Sequence, residues 1–160
     1  AVAKRQGRLH RNFQGYSTQP DCDLIALGVS AIGKIGATYS QNVKTLDEYY
    51  DAIDGSLLPV QRGLALSRDD LVRRAVIMAV MCQGAVLYEP MEQTWLINFR
   101  DYFVPEIAAL KEMEKNGLLT LNDEGFQVTA LGWFFVRGVA MLFDRYLQAD
   151  KTRARFSRII

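Results

Sequence analysis

The sequence predicts a mainly α, α+β fold: a helical domain with a small antiparallel β-hairpin. Two helical runs open on a hydroxyl residue with an acidic residue three positions later, at Thr45/Glu48 and Ser67/Asp70, the spacing of a capping box. Near the end of the chain, apolar residues recur at intervals of three and four. Between these regions an Asn122-Asp123-Glu124-Gly125 turn separates two short strand-like runs. With 160 residues, 49% of them hydrophobic, the chain can bury roughly 70% of the surface its unfolded form exposes.

The opening is basic and polar up to about Pro20. DLIALGVSAIGKIG then supplies an apolar run broken by Gly28, Gly33 and Gly36. It is too short and glycine-rich for a helix, and it predicts a strand over about Leu24–Ala31 that enters a loop where the backbone approaches something closely. Nothing else in the first half reads as a strand. Its partner is therefore one of the later strands or lies outside this chain.

TLDEYYDAID predicts a helix capped at Thr45 and stopped by Gly55, and SLLPVQRGLALS reads as a loop. Ser67 opens a second helix that is apolar on almost every side after Ala75, which makes it central, with Met78 and Met81 as core filler. A turn at Glu89-Pro90 leads to a short helix near Met91–Asn98. A longer helix follows over about Tyr102–Asn116, with Pro105 in its first turn and Asn116-Gly117 as its stop. Strands Leu118–Leu121 and Phe126–Val128 form the hairpin. One closing helix after Thr129 buries Leu131, Phe135, Val139, Leu142 and Tyr146, widened by Phe134 and Met141. Helix, helix, hairpin, helix is a winged-helix-like order.

Nineteen Lys and Arg stand against 18 Asp and Glu, for a net charge of +1. No global field draws the chain to nucleic acid or to an anionic membrane. The hairpin turn carries Asp123 and Glu124 and no cation, so a phosphate-reading wing is disfavoured. No apolar run approaches the ~18 residues of a membrane span, and the opening lacks a signal-peptide apolar region; a cytoplasmic protein is expected. Cys22 and Cys82 have no second ligand at metal spacing, and the one histidine, His10, is weak ground for catalysis. Arg73 and Arg74 follow Asp69 and Asp70 at helical spacings that favour local ion pairs.

Four stretches carry a family resemblance: RLHRNFQGYS (Arg8–Ser17), DLIALGVSAIGKIGATYSQN (Asp23–Asn42), RGLALSRDDLVRR (Arg62–Arg74) and the ending RFSRII (Arg155–Ile160). Together they resemble the C-terminal region of oxygen-independent coproporphyrinogen III oxidases, radical S-adenosylmethionine enzymes of haem biosynthesis. The block Asn12–Tyr16 is the most specific, because the haem-chaperone relative of the same superfamily is expected to differ there.

The resemblance implies oxidative decarboxylation of two propionates of coproporphyrinogen III to vinyl groups, giving protoporphyrinogen IX. A [4Fe–4S] cluster and S-adenosylmethionine would serve the complete enzyme, the cluster held by a Cys-x3-Cys-x2-Cys motif. This chain lacks that motif. It is therefore expected not to bind the cluster and to be inactive alone, its partner being its own N-terminal barrel domain. Residues 1–44 would then be the end of that barrel, with Asp23 to about Asn42 as its last strand and exit loop, open to local disorder, displacement or self-association without it, and 45–160 the winged-helix-like domain. The complete enzyme is expected to be a monomer.

The same resemblance places S-adenosylmethionine contacts on Phe13, Gln14 and Ile32; for Phe13 and Ile32 simple packing of the barrel end is the alternative. Arg8 and Arg11 either meet substrate carboxylates or belong to a solvated basic stretch. Tyr39, Gln41 and Asn42 either line the same cavity or form a polar loop. The tail Arg155–Ile160 is expected to dock, because Phe156, Ile159 and Ile160 are costly to leave in water. Two other functions compete: the C-terminal domain of a haem chaperone and a winged-helix nucleic-acid module.

Overall fold

The computed structural model describes residues 2–13, 15–19 and 22–149. After a one-turn helix α1 (Val2–Arg5), strands β1 (His10–Asn12) and β2 (Gly15–Ser17) pair antiparallel. Strands β3 (Ile32–Ile35), β4 (Thr38–Asn42) and β5 (Val60–Ala65) form a three-stranded antiparallel sheet in that order, with α2 (Leu46–Asp54) between β4 and β5. Helix α3 (Arg68–Gln83) leads into β6 (Ala85–Leu87), α4 (Tyr88–Trp95), α5 (Phe99–Tyr102) and α6 (Val104–Lys115). Strands β7 (Leu119–Leu121) and β8 (Gly125–Val128) join β6 in a second sheet, ordered β6-β8-β7. A 3-10 turn (Gly132–Phe135), α7 (Val136–Met141) and α8 (Arg145–Ala149) follow.

The expected helix after Ser67 is central. Ser67 Oγ accepts from the Asp70 N–H, and the Asp70 carboxylate accepts from the Ser67 N–H, a complete capping box; Gly84 ends the helix at φ 73°. Val72, Val76 and Val80 of α3 are wholly buried. They meet an aromatic stack in which Tyr88–Phe99, Phe99–Phe103 and Phe103–Phe143 ring centroids lie 4.5, 4.8 and 5.2 Å apart.

Several expectations need correction. Leu24–Ala31 is not a strand: only Leu24 bridges, to Lys34, and the chain turns at Gly28 (φ 97°) and Ser30 (φ 59°). Its partner lies within the chain, contrary to the expectation that nothing else in the first half was extended. The strands are β3 and β4, plus β5 inside the segment read as a loop. β5 is exposed along its length, so it has no apolar alternation to betray it. Thr45 does cap α2 by position, but its hydroxyl donates to Glu48 Oε2 and the reciprocal capping bond to the backbone is missing.

The turn assigned to Glu89-Pro90 is the first turn of α4, where proline's missing N–H costs nothing. The closing helix is broken in two. A Cβ on Gly132 would sit 1.7 Å from the carbonyl oxygen of Leu118, the residue before β7, so the 3-10 turn starts pressed against that backbone. Asp144 then starts α8 afresh by accepting from the Tyr146 and Leu147 N–H groups. Val139, Ala140 and Phe143 are the buried positions, whereas Leu131, Phe135, Tyr146 and above all Phe134, 86% exposed, face outward. The Arg155–Ile160 tail and Gln14 lie outside the described residues.

Candidate binding site

A cavity of about 490 Å³ lies between α3 and the β3-β4-β5 sheet. One face of α3 forms its floor: Asp70, Arg73, Arg74, Ile77 and Met78, at the three- and four-residue spacing that stacks side chains along a helix. Lys34, Tyr39 and Leu64 line it from the sheet. The β1 end closes one side with Arg11 and Phe13, and the turn into α8 closes the other with Phe143 and Arg145.

The two ends differ electrically. Toward α8, Asp69 accepts from Arg73 Nε (2.9 Å), Arg145 Nη1 (2.8 Å) and the Tyr102 hydroxyl (2.7 Å). Arg73 Nη1 also reaches Glu106 Oε1 at 2.6 Å, and Arg145 Nε lies 3.2 Å from Asp70 Oδ1. Burial alone would raise the Asp69 carboxyl, but the hydrogen bonds from Tyr102, Arg73 and Arg145 and the charge of Arg73 outweigh it and hold it below its ordinary value. Asp70 is likewise held low: burial opposes ionisation, and the bonds from Ser67, with Tyr146 and the Arg145 charge, overcome it. This end is a closed ion network that ties α3 to α6 and α8.

At the other end, Arg74 Nε donates to the Tyr39 hydroxyl at 2.7 Å. Phe13 meets the Tyr39 ring edge-on at 5.3 Å, and Lys34 stands directly opposite Tyr39 in the β3–β4 ladder. Residues directly opposite in a ladder project to the same face of the sheet. Lys34 and Arg74 therefore meet around one tyrosine.

Of the residues singled out from sequence, the cavity unites Arg11, Phe13 and Tyr39. Arg8 is exposed and donates to its neighbour Gln6, and it is not among the lining residues. Ile32 is half-buried in β3 opposite Gln41, likewise outside the lining. Gln41 accepts from Arg62 at 2.6 and 2.9 Å. Asn42, 3% exposed, donates to the Ala26 and Gly28 carbonyls and so clamps the Gly28 loop to β4. Arg73 pairs with Asp69 as expected. Sequence reasoning missed Lys34, Arg74 and Ile77 as cavity residues and treated Met78 as core. The spacing 70, 73, 74, 77, 78 was the signal available for the helix face.

Among the described residues no group of three or more His, Cys, Asp or Glu could hold a metal ion. Cys22 is exposed, whereas Cys82 is buried and burial pushes its thiol up, partly offset by Arg11. Two cysteines so placed do not fit a [4Fe–4S] cluster.

Residues 66–135 match the family described as the HemN C-terminal domain. The whole chain is 46% identical to the oxygen-independent coproporphyrinogen III oxidase of Escherichia coli (strain K12), and it covers 35% of that protein. It is 42% identical to the oxidase of the same name from Synechocystis sp., again over all of this chain and 35% of the relative. A solved structure described as coproporphyrinogen III oxidase (HemN) from Escherichia coli, a radical SAM enzyme, superposes with a TM-score of 0.88 at 47% identity, over 91% of this chain and 34% of that one. The chain thus resembles these oxidases along its full length and spans about a third of theirs.

Proposed function

We propose that this chain is the C-terminal part of an oxygen-independent coproporphyrinogen III oxidase. The observation that carries the reading is the likeness in sequence over the entire chain, at 46% identity, and in backbone over 91% of it, at a TM-score of 0.88. The reaction is the oxidative decarboxylation of two propionates of coproporphyrinogen III to vinyl groups, yielding protoporphyrinogen IX in haem biosynthesis. Because Cys22 and Cys82 do not fit an iron–sulfur cluster, the cluster of such an enzyme belongs to the part of the relatives' length that this chain does not span. This chain alone is inactive on this reading and contributes a wall of the active site.

Residues 1–44 are read as the end of a barrel domain and 45–160 as the helical, winged-helix-like domain. The placement of hairpin β7–β8 after α3 and α6 supports the second assignment. β5 pairs with β4 across this boundary, so the two parts share a sheet. Ile25, Leu27, Leu57 and Leu58 are 73, 82, 67 and 85% exposed, and an adjoining domain would cover such side chains. Phe13, Gln14 and Ile32 are read as S-adenosylmethionine contacts in the complete enzyme. Phe13 lines the cavity and Ile32 does not, so the support is the family resemblance, together with the exposure of Phe13. Arg11, on the cavity rim, keeps its substrate-carboxylate role better than Arg8 does.

Among the described residues no helix is long and apolar enough to cross a membrane. The reading remains a cytoplasmic enzyme, monomeric when complete; the near-zero net charge of this chain supports the reading that it has no nucleic-acid partner. The oxidase reading is preferred to the haem chaperone because the relatives compared carry the oxidase name.

Iron and sulfide reconstitution of the 160-residue chain provides the test. The account expects no cluster absorbance. A stoichiometric [4Fe–4S] spectrum from this chain alone would refute the assignment of the cluster to another region.

A further inference from the structure

We propose that Arg62 binds a ligand carboxylate on the sheet face that continues the cavity, with Gln41 positioning its guanidinium. The candidate ligands rest on the proposed function, and the carboxylate class on the geometry of the sheet.

Residues directly opposite in a ladder, and residues two apart on one strand, project to the same face. Lys34, Tyr39 and Leu64 stand side by side across β3, β4 and β5 and line the cavity. Ile32, Gln41 and Arg62 form the next row of that face, about 7 Å further along the strands. Arg62 is exposed, so this row is open where the cavity ends. Ile32 thus stands outside the cavity lining and yet on the face that the cavity shares.

Arg62 is held by a neutral group. Its Nε and Nη2 donate to Gln41 Oε1 at 2.9 and 2.6 Å, and Gln41 Nε2 donates in turn to the Ser30 carbonyl at 3.2 Å. That second bond turns the amide oxygen toward the arginine. Arg73, Arg100 and Arg145, by contrast, each pair with a carboxylate. Among the described residues Arg62 has no ion-pair partner, although its side chain is already fixed. Nη1 and the second hydrogen of Nη2 remain for the two oxygens of a carboxylate, a bidentate and charge-assisted contact.

Toward the cavity the surroundings turn apolar, with Leu64 from the sheet and Ile77 from α3 in the lining. A ligand lying along the sheet therefore meets hydrocarbon at the cavity and a cation one row away. Two ligands of the proposed reaction carry a carboxylate on a larger body: coproporphyrinogen III in its propionates, and S-adenosylmethionine in its amino-acid part. Either source would meet the arginine by the same chemistry.

The full-length product of the gene encoding this chain, prepared without oxygen and reconstituted with iron and sulfide, is titrated with two matched pairs of probes. Coproporphyrin III, the oxidised form of the substrate, is compared with its tetramethyl ester, and S-adenosylmethionine with its decarboxylated form. For the ligand that uses Arg62, Arg62→Gln should weaken binding about tenfold or more and leave binding of the carboxylate-free form unaffected. Arg62→Lys should recover part of the loss, because it keeps the charge without the fork. Gln41→Met, which keeps the cation and frees it, should show a smaller loss for the same ligand. Lys115→Gln, on the exposed face of α6, should change nothing. The β5 pairing of Arg62 is through the backbone; if Arg62→Gln nevertheless loses its circular dichroism, Arg62→Lys carries the comparison.

Dependence of coproporphyrin binding on Arg62 assigns the residue to a substrate propionate, and dependence of S-adenosylmethionine binding assigns it to the cofactor. Wild-type affinity for both ligands in Arg62→Gln, or equal weakening of the carboxylate-free forms, would overturn the proposal, as would a wild type that binds neither ligand. The proposed function fails separately. A protein with an intact cluster that binds either ligand through Arg62 but releases no carbon dioxide from coproporphyrinogen would refute the activity and keep the site. Normal turnover, with binding indifferent to Arg62, would do the reverse.

Discussion

Arg73 joins three elements through a single guanidinium, bonding Asp69 on its own helix, Glu106 on α6 and the Phe143 carbonyl before α8. Glu106 is 8% exposed, and its Oε2 has no hydrogen-bond partner, so the arginine is what offsets the cost of burying that charge. Arg73→Met should lower unfolding stability in urea by about 3–5 kcal/mol; a loss under about 1 kcal/mol would class the network with ordinary surface pairs. The pH dependence follows from the same groups. Asp69 and Asp70 are held below the ordinary carboxylate value in the folded state. The unfolded chain therefore binds protons first on acidification. Their contribution is fully present above about pH 4 and fades as pH falls through the lowered folded values. Melting temperature should thus drop on that acid limb, and Asp69→Asn should make the drop shallower; an unchanged slope would remove Asp69 from the account. Two glycines make a matched pair. Gly132→Ala forces a Cβ onto the Leu118 carbonyl and should cost about 1–3 kcal/mol or more. Gly138→Ala, inside α7 with nothing within 4 Å of the new methyl, should instead stabilise by about 0.5–1 kcal/mol. Thermal melts of the two variants should move in opposite directions.

The two hydroxyl residues that signalled helix starts separate at the level of the element. Ser67 forms both bonds of the capping box, and Ser67→Ala should cost about 0.5–2 kcal/mol. Thr45 donates to Glu48 and makes no capping bond to the backbone, so Thr45→Ala should stay within about 0.5 kcal/mol. Denaturation midpoints for the pair that were alike would contradict the structural distinction. The motif is legible in both places, but the hydrogen bond that gives it energy is not. Helices α3 and α6 and the β7–β8 hairpin were legible because strong local signals coincide there: caps, Pro105, and the turn at Asn122, whose side chain accepts from the Glu124 and Gly125 N–H groups. The β3-β4-β5 sheet was not, because β5 is exposed throughout and β3 holds Gly33 beneath the Leu24 carbonyl, so neither shows a period of two. The break between α7 and α8 was hidden for another reason. It depends on the Asp144 carboxylate, which accepts from the Tyr146 and Leu147 N–H groups and so starts α8 afresh, a bonding choice that apolar spacing does not report.

For the molecule as a whole, the family resemblance found the N-terminal rim of the cavity, at Arg11 and Phe13, and missed its floor and far wall. The lining is drawn from β1, the sheet, α3 and the turn into α8, so no single stretch of sequence holds it. Only the α3 stripe had a readable spacing, and its arginines also fit a plain ion-pair reading, which holds for Arg73. The chain spans about a third of its relatives, and the exposed Leu27 and Leu58 are side chains that the further domain proposed above would cover. The most direct test of that account uses the full-length product of the gene encoding this chain, prepared without oxygen and reconstituted with iron and sulfide. It would be supplied with S-adenosylmethionine, a reductant and coproporphyrinogen III, and both carbon dioxide and porphyrin product would be measured. The account predicts two carbon dioxide molecules released for each protoporphyrinogen IX formed, whereas a protein with an intact cluster that binds haem and releases no carbon dioxide would contradict it.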